Sequence, residues 1–156
     1  NCSNTYTLSL NSSKLCKDLA NLGCISLKTD NLKFPSENIL DKKFCRNFLL
    51  GYFEGDGGIS KRTKGNELYD IDISSTEDFC IKTQQIIKEE LNINSTIRRR
   101  IKKINPYYCL AIYGTRQVYK FLSWLYEDAP FVMFRKYEIY LRLKEKYKND
   151  QNLLKT

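Results

Sequence analysis

The sequence contains no histidine, and its six cysteines include no pair in the C-x-x-C spacing of metal and redox sites. Without histidine the chain cannot build a Ser/His/Asp or Cys/His catalytic arrangement, or a zinc site with imidazole ligands. No apolar run approaches the roughly 18 residues that cross a membrane, so no membrane partner is expected. Any chemistry must therefore use carboxylate, lysine, tyrosine, serine or cysteine side chains.

The start of the sequence also lacks the charged and apolar regions of a secretory signal. Disulfides are therefore not expected, and the scattered cysteines are interpreted as reduced core thiols. These residues are Cys2, Cys16, Cys24, Cys45, Cys80 and Cys109. The sequence predicts a protein that is not secreted and that resides in the cytoplasm, associated with the nucleoid, or in an organelle matrix.

The charge of the chain is strongly positive. In 156 residues, suited to one domain, there are 26 Lys+Arg against 18 Asp+Glu, a formal net charge of +8. Such a surplus is expected of a nucleic-acid-binding protein, and it also occurs in basic proteins that are merely soluble. Charge alone leaves both alternatives open.

From Asp41 onward, the hydrophobic pattern predicts a helix, two strands, a helix, two strands and two helices. Asp41 and Thr76 are the expected N-caps of the first two of these helices. The predicted hairpins pair residues 59–64 with 67–74 and residues 96–104 with 107–113, and the last helix covers 134–147. The expected fold class is therefore α+β.

The N-terminal part of the chain repeats a pattern found near the C-terminus. Tyr6, Leu8 and Leu10 match Tyr108, Leu110 and Ile112, while Leu15, Leu19 and Leu22 match Val118, Leu122 and Leu125. This echo predicts that residues 1–38 are the strand, helix and linker at the tail of a preceding repeat, and that residues 39–156 form a further repeat. A chance match between two short amphipathic elements is the alternative.

The segment 48–58 carries two helical glycines and an acid that need an explanation. Gly51 and Gly55 lie one turn apart, and each costs roughly 1 kcal/mol relative to alanine, so close packing against a twin helix is expected. Asp56 would place a negative charge at the negative end of the helix dipole, which is disfavoured by roughly 0.3–1 kcal/mol. Asp56 is therefore a candidate metal ligand, and ordinary turn chemistry in a Gly-rich loop is the alternative.

Residues 49–57, Leu-Leu-Gly-Tyr-Phe-Glu-Gly-Asp-Gly, resemble the LAGLIDADG motif of homing endonucleases at all nine positions, with Glu54 as a conservative departure. The order of elements is similar to the αββαββα unit of that family, and the chain looks like the C-terminal repeat of a two-repeat member. The resemblance implies a sequence-specific, metal-dependent DNA endonuclease with a curved antiparallel DNA-binding sheet.

The resemblance also implies roles for individual residues. Asp56, with Gly55 beside it, would bind Mg²⁺ or another divalent cation such as Mn²⁺, whereas Glu54 would be mainly structural. An active-site cation is expected near the start of the last helix, where Lys136 fits slightly better than Arg135. The echo places Lys28 in the equivalent position of the preceding repeat, and the alternative for each basic residue is an ordinary surface cation.

The alternation of side chains along the strands predicts which face of the sheet meets DNA. Arg98, Arg100 and Lys102 share one face of their strand, while Ile97 and Ile101 are expected to anchor the other. By the same logic, the first hairpin presents Ser60, Arg62 and Lys64, together with Asp70 and Asp72. The two aspartates either accept hydrogen bonds from cytosine amino groups or offset neighbouring arginines. A solvated sheet edge, charged against aggregation, is the alternative for the whole face.

The function expected from these observations is double-strand DNA cleavage, with double-stranded DNA as one partner. The second expected partner is another LAGLIDADG repeat, either upstream in the same chain or in a homodimer that pairs Gly51 and Gly55 with their copies. The alternative function is that of a maturase or transcriptional regulator, which keeps the fold and binds nucleic acid without cutting it.

Overall fold

The computed structural model describes residues 7–24, 31–62, 68–102 and 105–148. The elements in chain order are α1 (Ser13–Asn21), a 3₁₀ turn (Lys42–Phe44), α2 (Cys45–Asp56), β1 (Gly57–Arg62), β2 (Leu68–Ser75), α3 (Glu77–Leu91), β3 (Thr96–Lys102), β4 (Asn105–Tyr113), α4 (Thr115–Tyr126) and α5 (Phe134–Lys146). From residue 41 onward this is the predicted order, and the α+β class is confirmed. Within the described ranges, no helix is long and apolar enough to cross a membrane.

The four strands form one antiparallel sheet in the order β1-β2-β4-β3. β1 pairs with β2 through Ser60 opposite Asp70, and β2 pairs with β4 through Asp72 opposite Ala111. Directly paired residues point to the same face of an antiparallel sheet, so this register fixes two faces. The inner face packs under the helices, and the outer face points away from them.

The hydrophobic core lies between the inner face and the helices. The largest buried side chains come from α2, β2, α3, β4 and α4: Leu49, Leu50, Phe53, Ile71, Ile73, Phe79, Ile87, Leu110, Ile112, Phe121, Leu122 and Leu125. The predicted inward positions of β2 (Tyr69, Ile71 and Ile73) are all buried. On α5, Tyr140 and Leu143 are buried and Tyr140 stacks with Tyr119 of α4 at 6.3 Å between ring centroids.

A side-chain cap marks the start of the segment that leads into the motif helix α2, and a glycine follows its last residue. The Asp41 side chain accepts a hydrogen bond from Lys43 N at 3.1 Å, and the 3₁₀ turn continues into α2. The helix ends at Asp56, and β1 begins at the next residue, Gly57. A Cβ atom added at Gly57 would lie 2.2 Å from a ring carbon of Phe53, so only glycine allows this abrupt change from helix to strand.

Three sequence-based expectations are wrong. Residues 7–10 form no strand, and Leu8 and Leu10 are exposed, because no described strand lies beside them to supply hydrogen bonds. Ile101 is 74% exposed instead of anchoring the inner face, since only Ile97 of the two isoleucines packs against the core. Cys16 and Cys24 are exposed, so they are not core thiols, although Cys80 and Cys109 are buried.

The helix α1 begins after a side-chain cap and ends before a glycine, but none of its residues is packed into the core. The Ser12 side chain accepts a hydrogen bond from Leu15 N, and Gly23 has a left-handed φ of 89°. No residue of α1 is buried. Tyr6 lies outside the described residues, and the assignment of 1–38 to a preceding repeat stays a prediction.

The close approach at Gly57 generates a stability prediction. Gly57→Ala should lower the free energy of unfolding by about 1–3 kcal/mol, because the new methyl group forces the buried Phe53 ring out of place. Gly55→Ala is the matched control: nothing lies within 4 Å of its added Cβ, so stability should be unchanged or slightly higher. Urea unfolding of both variants measures the difference, and equal stability would show that α2 does not need a glycine to turn into β1.

Candidate active site and nucleic-acid interface

Glu54 is held inside the protein near the end of α2. Its side chain is only 6% exposed, and both carboxylate oxygens are occupied: Oε1 accepts from the Tyr126 hydroxyl and Oε2 from Met133 N, each at 2.6 Å. Burial and then the Glu54 carboxylate raise the pKa of Tyr126, so the hydroxyl retains the proton that it donates. Glu54 therefore joins α2 to α4 and to the segment before α5, a structural role.

Lys136 is the buried cation of this site. It is 2% exposed, and its Nζ donates hydrogen bonds to the carbonyl oxygens of Phe53 and, at 2.9 Å, of Glu54. Burial lowers the pKa of Lys136, while the nearby Glu54 and Asp56 carboxylates act in the opposite direction. A positive charge on carbonyls at a helix C-terminus is favourable, because those carbonyls carry the negative end of the dipole.

The structure distinguishes Arg135 from Lys136, the two basic residues that the sequence offered as the active-site cation. Arg135 is exposed, and its Nη2 approaches the Met133 sulfur at 3.7 Å. Lys136 instead contacts the last turn of α2 next to Asp56. Lys28 lies outside the described residues, so its predicted role stays a prediction.

Asp56 is the exposed acid at the last residue of α2. A carboxylate is a suitable ligand for a hard cation such as Mg²⁺, so Asp56 fits the metal that the motif implies. Within the described ranges, however, no group of three or more His, Cys, Asp or Glu side chains gathers around a point. Among the described residues, Asp56 is therefore a single candidate ligand, with the backbone of Gly55 beside it.

The glycine face of α2, formed by Gly51 and Gly55, is open to solvent. A Cβ added at Gly51 would meet only the Phe131 ring, at 3.9 Å, and one added at Gly55 would meet nothing within 4 Å. The segment beside this face exposes four large apolar side chains: Phe131, Val132, Met133 and Phe134. The described structure thus leaves an apolar border along the glycine face.

The predicted DNA-reading residues all lie on the outer face of the sheet where the structure describes them. The register puts Ser60 and Arg62 of β1 on the same face as Asp70 and Asp72 of β2. The same face continues across β4 to β3, where Arg98 pairs with Cys109 and Arg100 pairs with Tyr107. The backbone of Lys102 pairs with Asn105 in the same register, and its side chain is not among those that the structure describes. Lys64 lies outside the described residues. The predicted alternation on β1, β2 and β3 is therefore confirmed.

Asp70 and Asp72 are both paired with arginines. Arg62 donates to Asp70 through Nε and, at 2.9 Å, through Nη2, and this bonding is the main reason that the pKa of Asp70 lies below its usual value. Arg98 donates to Asp72 at 2.7 Å. Of the two alternatives for the aspartates, the structure shows the one in which they offset arginines.

Sequence reasoning missed Tyr113, which lies on the outer face between these two pairs. The central carbons of the Arg62 and Arg98 guanidinium groups lie 5.2 and 5.3 Å from the centre of its ring. Counting alternation along β4 would have placed Tyr113 on this face. Its two arginine neighbours come from strands that the sequence does not order within the sheet.

Comparison with known protein families gives one match. The model of the family described as "LAGLIDADG-like domain" matches residues 43–125, from the 3₁₀ turn into the last turn of α4. No curated protein matches the sequence.

Several solved structures are similar to this chain. An archaeal intron-encoded homing endonuclease, I-Vdi141I, complexed with DNA, is 20% identical over 72% of this chain and 72% of that chain, with a TM-score of 0.48. Full-length DUF199/WhiA from Thermatoga maritima is 24% identical over 72% and 37%, with a TM-score of 0.47. I-DmoI in complex with DNA and Mn is 23% identical over 66% and 60%, with a TM-score of 0.40. The chain therefore spans less than two thirds of the latter two proteins.

The contacts of Lys136 predict different costs for two adjacent substitutions. Lys136→Met should lower the free energy of unfolding by about 1–3 kcal/mol, because two buried carbonyl groups at the end of α2 lose a donor. Arg135→Met, which removes the same charge from an exposed side chain, should change stability by less than about 0.5 kcal/mol. Thermal and urea unfolding measure both variants. A larger loss for the Arg135 variant would contradict the assignment of Lys136 as the support of α2.

Proposed function

Because the chain belongs to the family of LAGLIDADG-like domains, we propose that it is the DNA-binding and catalytic unit of a sequence-specific DNA endonuclease that requires a divalent metal ion. The observation that carries this proposal is the end of α2, where an exposed Asp56 stands beside a buried Lys136. An exposed acid that forms no salt bridge among the described residues, at the unfavourable end of a helix dipole, is a suitable place for a metal ion.

The outer face of the sheet supports the binding half of the proposal. Its arginines lie on two different strands, β1 and β3, with polar residues between them, and antiparallel ribbons fit the major groove of DNA. The net charge of +8 favours attraction to the phosphate backbone. Direct contacts from this face would read the base edges, and the surplus charge would supply affinity that depends on salt.

Asp56 is the residue that we propose to hold Mg²⁺ or Mn²⁺. When bound, such an ion activates water and stabilises the charge that develops on the phosphate. Lys136 keeps α2 at full length by donating to the carbonyls of its last turn, so that Asp56 projects at the surface. Two of the three donors of the ammonium are used in this way, and Nζ lies 4.7 Å from the centre of the Phe53 ring.

The glycine face of α2 supports a second motif helix as the missing partner. Two glycines one turn apart let another backbone approach, and the exposed side chains of residues 131–134 provide apolar surface to bury against it. The partner would bring its own acid next to Asp56 and complete the metal site. It would lie either upstream in the same chain or in a second copy of this chain.

Nucleic-acid binding without cleavage is the second candidate function. It is favoured by the single exposed acid of α2 and by the lack, within the described ranges, of a ready cluster of metal ligands. A maturase or transcriptional regulator of this family would use the same outer face. The two functions differ in whether the bound duplex is cut when a divalent metal is added.

Replacing Asp56, the exposed acid of α2, tests the proposed metal-dependent cleavage. Asp56→Asn should abolish metal-dependent cleavage and leave duplex affinity within about threefold, because the amide keeps the shape of the side chain and loses the charge that ligates metal. Cleavage of supercoiled and linear target DNA with Mg²⁺, Mn²⁺ or EDTA is measured beside gel-shift affinity. Asp78→Asn, the same change at an exposed acid of α3, is the control and should cut normally.

Two outcomes would contradict this reading. Cleavage by Asp56→Asn at the wild-type rate would remove Asp56 from the metal site. Wild-type protein that binds a selected duplex tightly but never nicks it with either metal, even when a second repeat is supplied, would support the non-cleaving function instead.

Neighbouring arginines on opposite faces of β3 test the binding surface. Arg100→Ala should weaken DNA binding by about 1–3 kcal/mol where the side chain contacts a base, and Arg98→Ala should act similarly. Arg99→Ala removes the same charge from the other face and should matter less. Fluorescence anisotropy at two salt concentrations gives both affinities and salt slopes. Greater sensitivity at Arg99 would mean that DNA contacts the opposite face.

A further inference from the structure

We propose that Arg62 and Arg98 recognise two guanine bases, and that Asp70, Asp72 and Tyr113 hold both guanidinium groups in position for this reading. These five residues are called the Tyr113 cluster. The inference rests on the proposed DNA binding by the outer face and adds the identity of the bases and the residues that position their readers.

The pair of Arg62 and Asp70 is fixed from several sides. Asp70 is buried, although it lies on the outer face, and besides two hydrogen bonds from Arg62 it accepts one from Gly114 N at 3.3 Å. Asp70 thus engages the Nε and Nη2 edge of the guanidinium. The end-on edge, formed by Nη1 and the second N–H of Nη2, is the one that matches guanine O6 and N7.

The pair of Arg98 and Asp72 is similarly constrained. Arg98 donates to Asp72 Oδ1 through Nη2, and the same oxygen lies 3.2 Å from the Cys109 sulfur. About two thirds of the Arg98 side chain is covered, and its Nε is buried with no hydrogen-bond partner among the described residues. This guanidinium therefore lies partly covered against the sheet, held in place before DNA arrives.

Tyr113 brings the two arginines together. Its ring lies about 5 Å from each guanidinium centre, within cation–π range. The two guanidinium groups are therefore no more than about three base-pair steps of 3.4 Å apart. The cluster has the size to read two positions of one groove segment.

The aspartates distinguish base reading from phosphate binding. A carboxylate next to each arginine repels phosphate, so a surface built only for the backbone would gain nothing from Asp70 and Asp72. A neutral base edge is not repelled in this way, and it benefits from a guanidinium whose orientation is already fixed. Guanine presents two acceptors side by side in the major groove, the pattern that arginine matches with two hydrogen bonds.

Selection from a randomised duplex library, with the full chain and EDTA to prevent cleavage, tests the inference. Wild-type protein should select a site with two guanines no more than three steps apart. Arg62→Gln should change the preferred base at one of them to adenine, because glutamine matches adenine, and leave the other guanine unchanged. The preference for the original guanine should fall by roughly 5- to 150-fold.

The positioning residues have a signature that a purely structural role would not produce. Asp72→Asn, and Asp70→Asn if thermal unfolding shows it folded, should reduce guanine preference at one position by about fivefold or more. Affinity for unrelated duplex should stay equal or rise, because a negative charge has been removed from the DNA-facing surface. Asp78→Asn on α3 is the control for the charge change and should alter neither quantity.

The outcomes separate this inference from the function on which it rests. Duplex binding with no guanine preference that depends on Arg62 or Arg98 would overturn the inference and leave DNA binding intact. Guanine preference that survives Asp70→Asn and Asp72→Asn would also overturn it, since positioning is the claim. Failure of the wild-type chain to bind any duplex in the library would overturn both.

Discussion

The buried ammonium of Lys136 at the end of the motif helix is the interaction on which the rest of the site depends. The last carbonyl groups of a helix need donors from beyond it, and at the end of α2 Gly57 N donates to the Phe53 carbonyl. Lys136 from α5 donates to two of them, while Glu54 of α2 accepts from Tyr126 of α4 and from the backbone of Met133. Three helical segments are thereby joined at the place where Asp56 reaches the surface. The contacts that hold the end of α2 therefore also position the candidate metal ligand.

The same helix end also sets the position of the sheet. Because β1 starts at Gly57, one residue after Asp56, any displacement of α2 moves the first strand and its outer face. That face continues through β2 and β4 to β3, where pairing fixes which side chains point outward. If the outer face reads bases and Asp56 holds a metal ion, as proposed, this rigid connection gives a physical basis for cutting at a fixed distance from the sequence that is read.

Patterns local in sequence predicted most of the fold. Alternation placed Arg98 and Arg100 on the outer face, and capping side chains marked the starts of the 3₁₀ turn before α2 and of α3. Choices that depend on contacts between distant elements were not predictable: Lys136 and Arg135 are adjacent basic residues, and only the packing of α5 on α2 shows which is buried. The pairing of Asp72 with Arg98, 26 residues away, needed the strand order, and alternation alone does not show that Ile97 packs on the core while Ile101 is exposed.

The open glycine face of α2 is the surface on which we propose that a second LAGLIDADG repeat packs. Light scattering over rising protein concentration, with and without an added second repeat, compares the wild-type chain with Gly55→Leu, a position where an added Cβ meets nothing within 4 Å. The wild-type chain should associate through this face with a second copy or with the added repeat, and Gly55→Leu should do neither at an unchanged melting temperature. A Gly55→Leu variant that associates as well as the wild-type chain, or a wild-type chain that stays monomeric in both experiments, would mean that no repeat packs on this face.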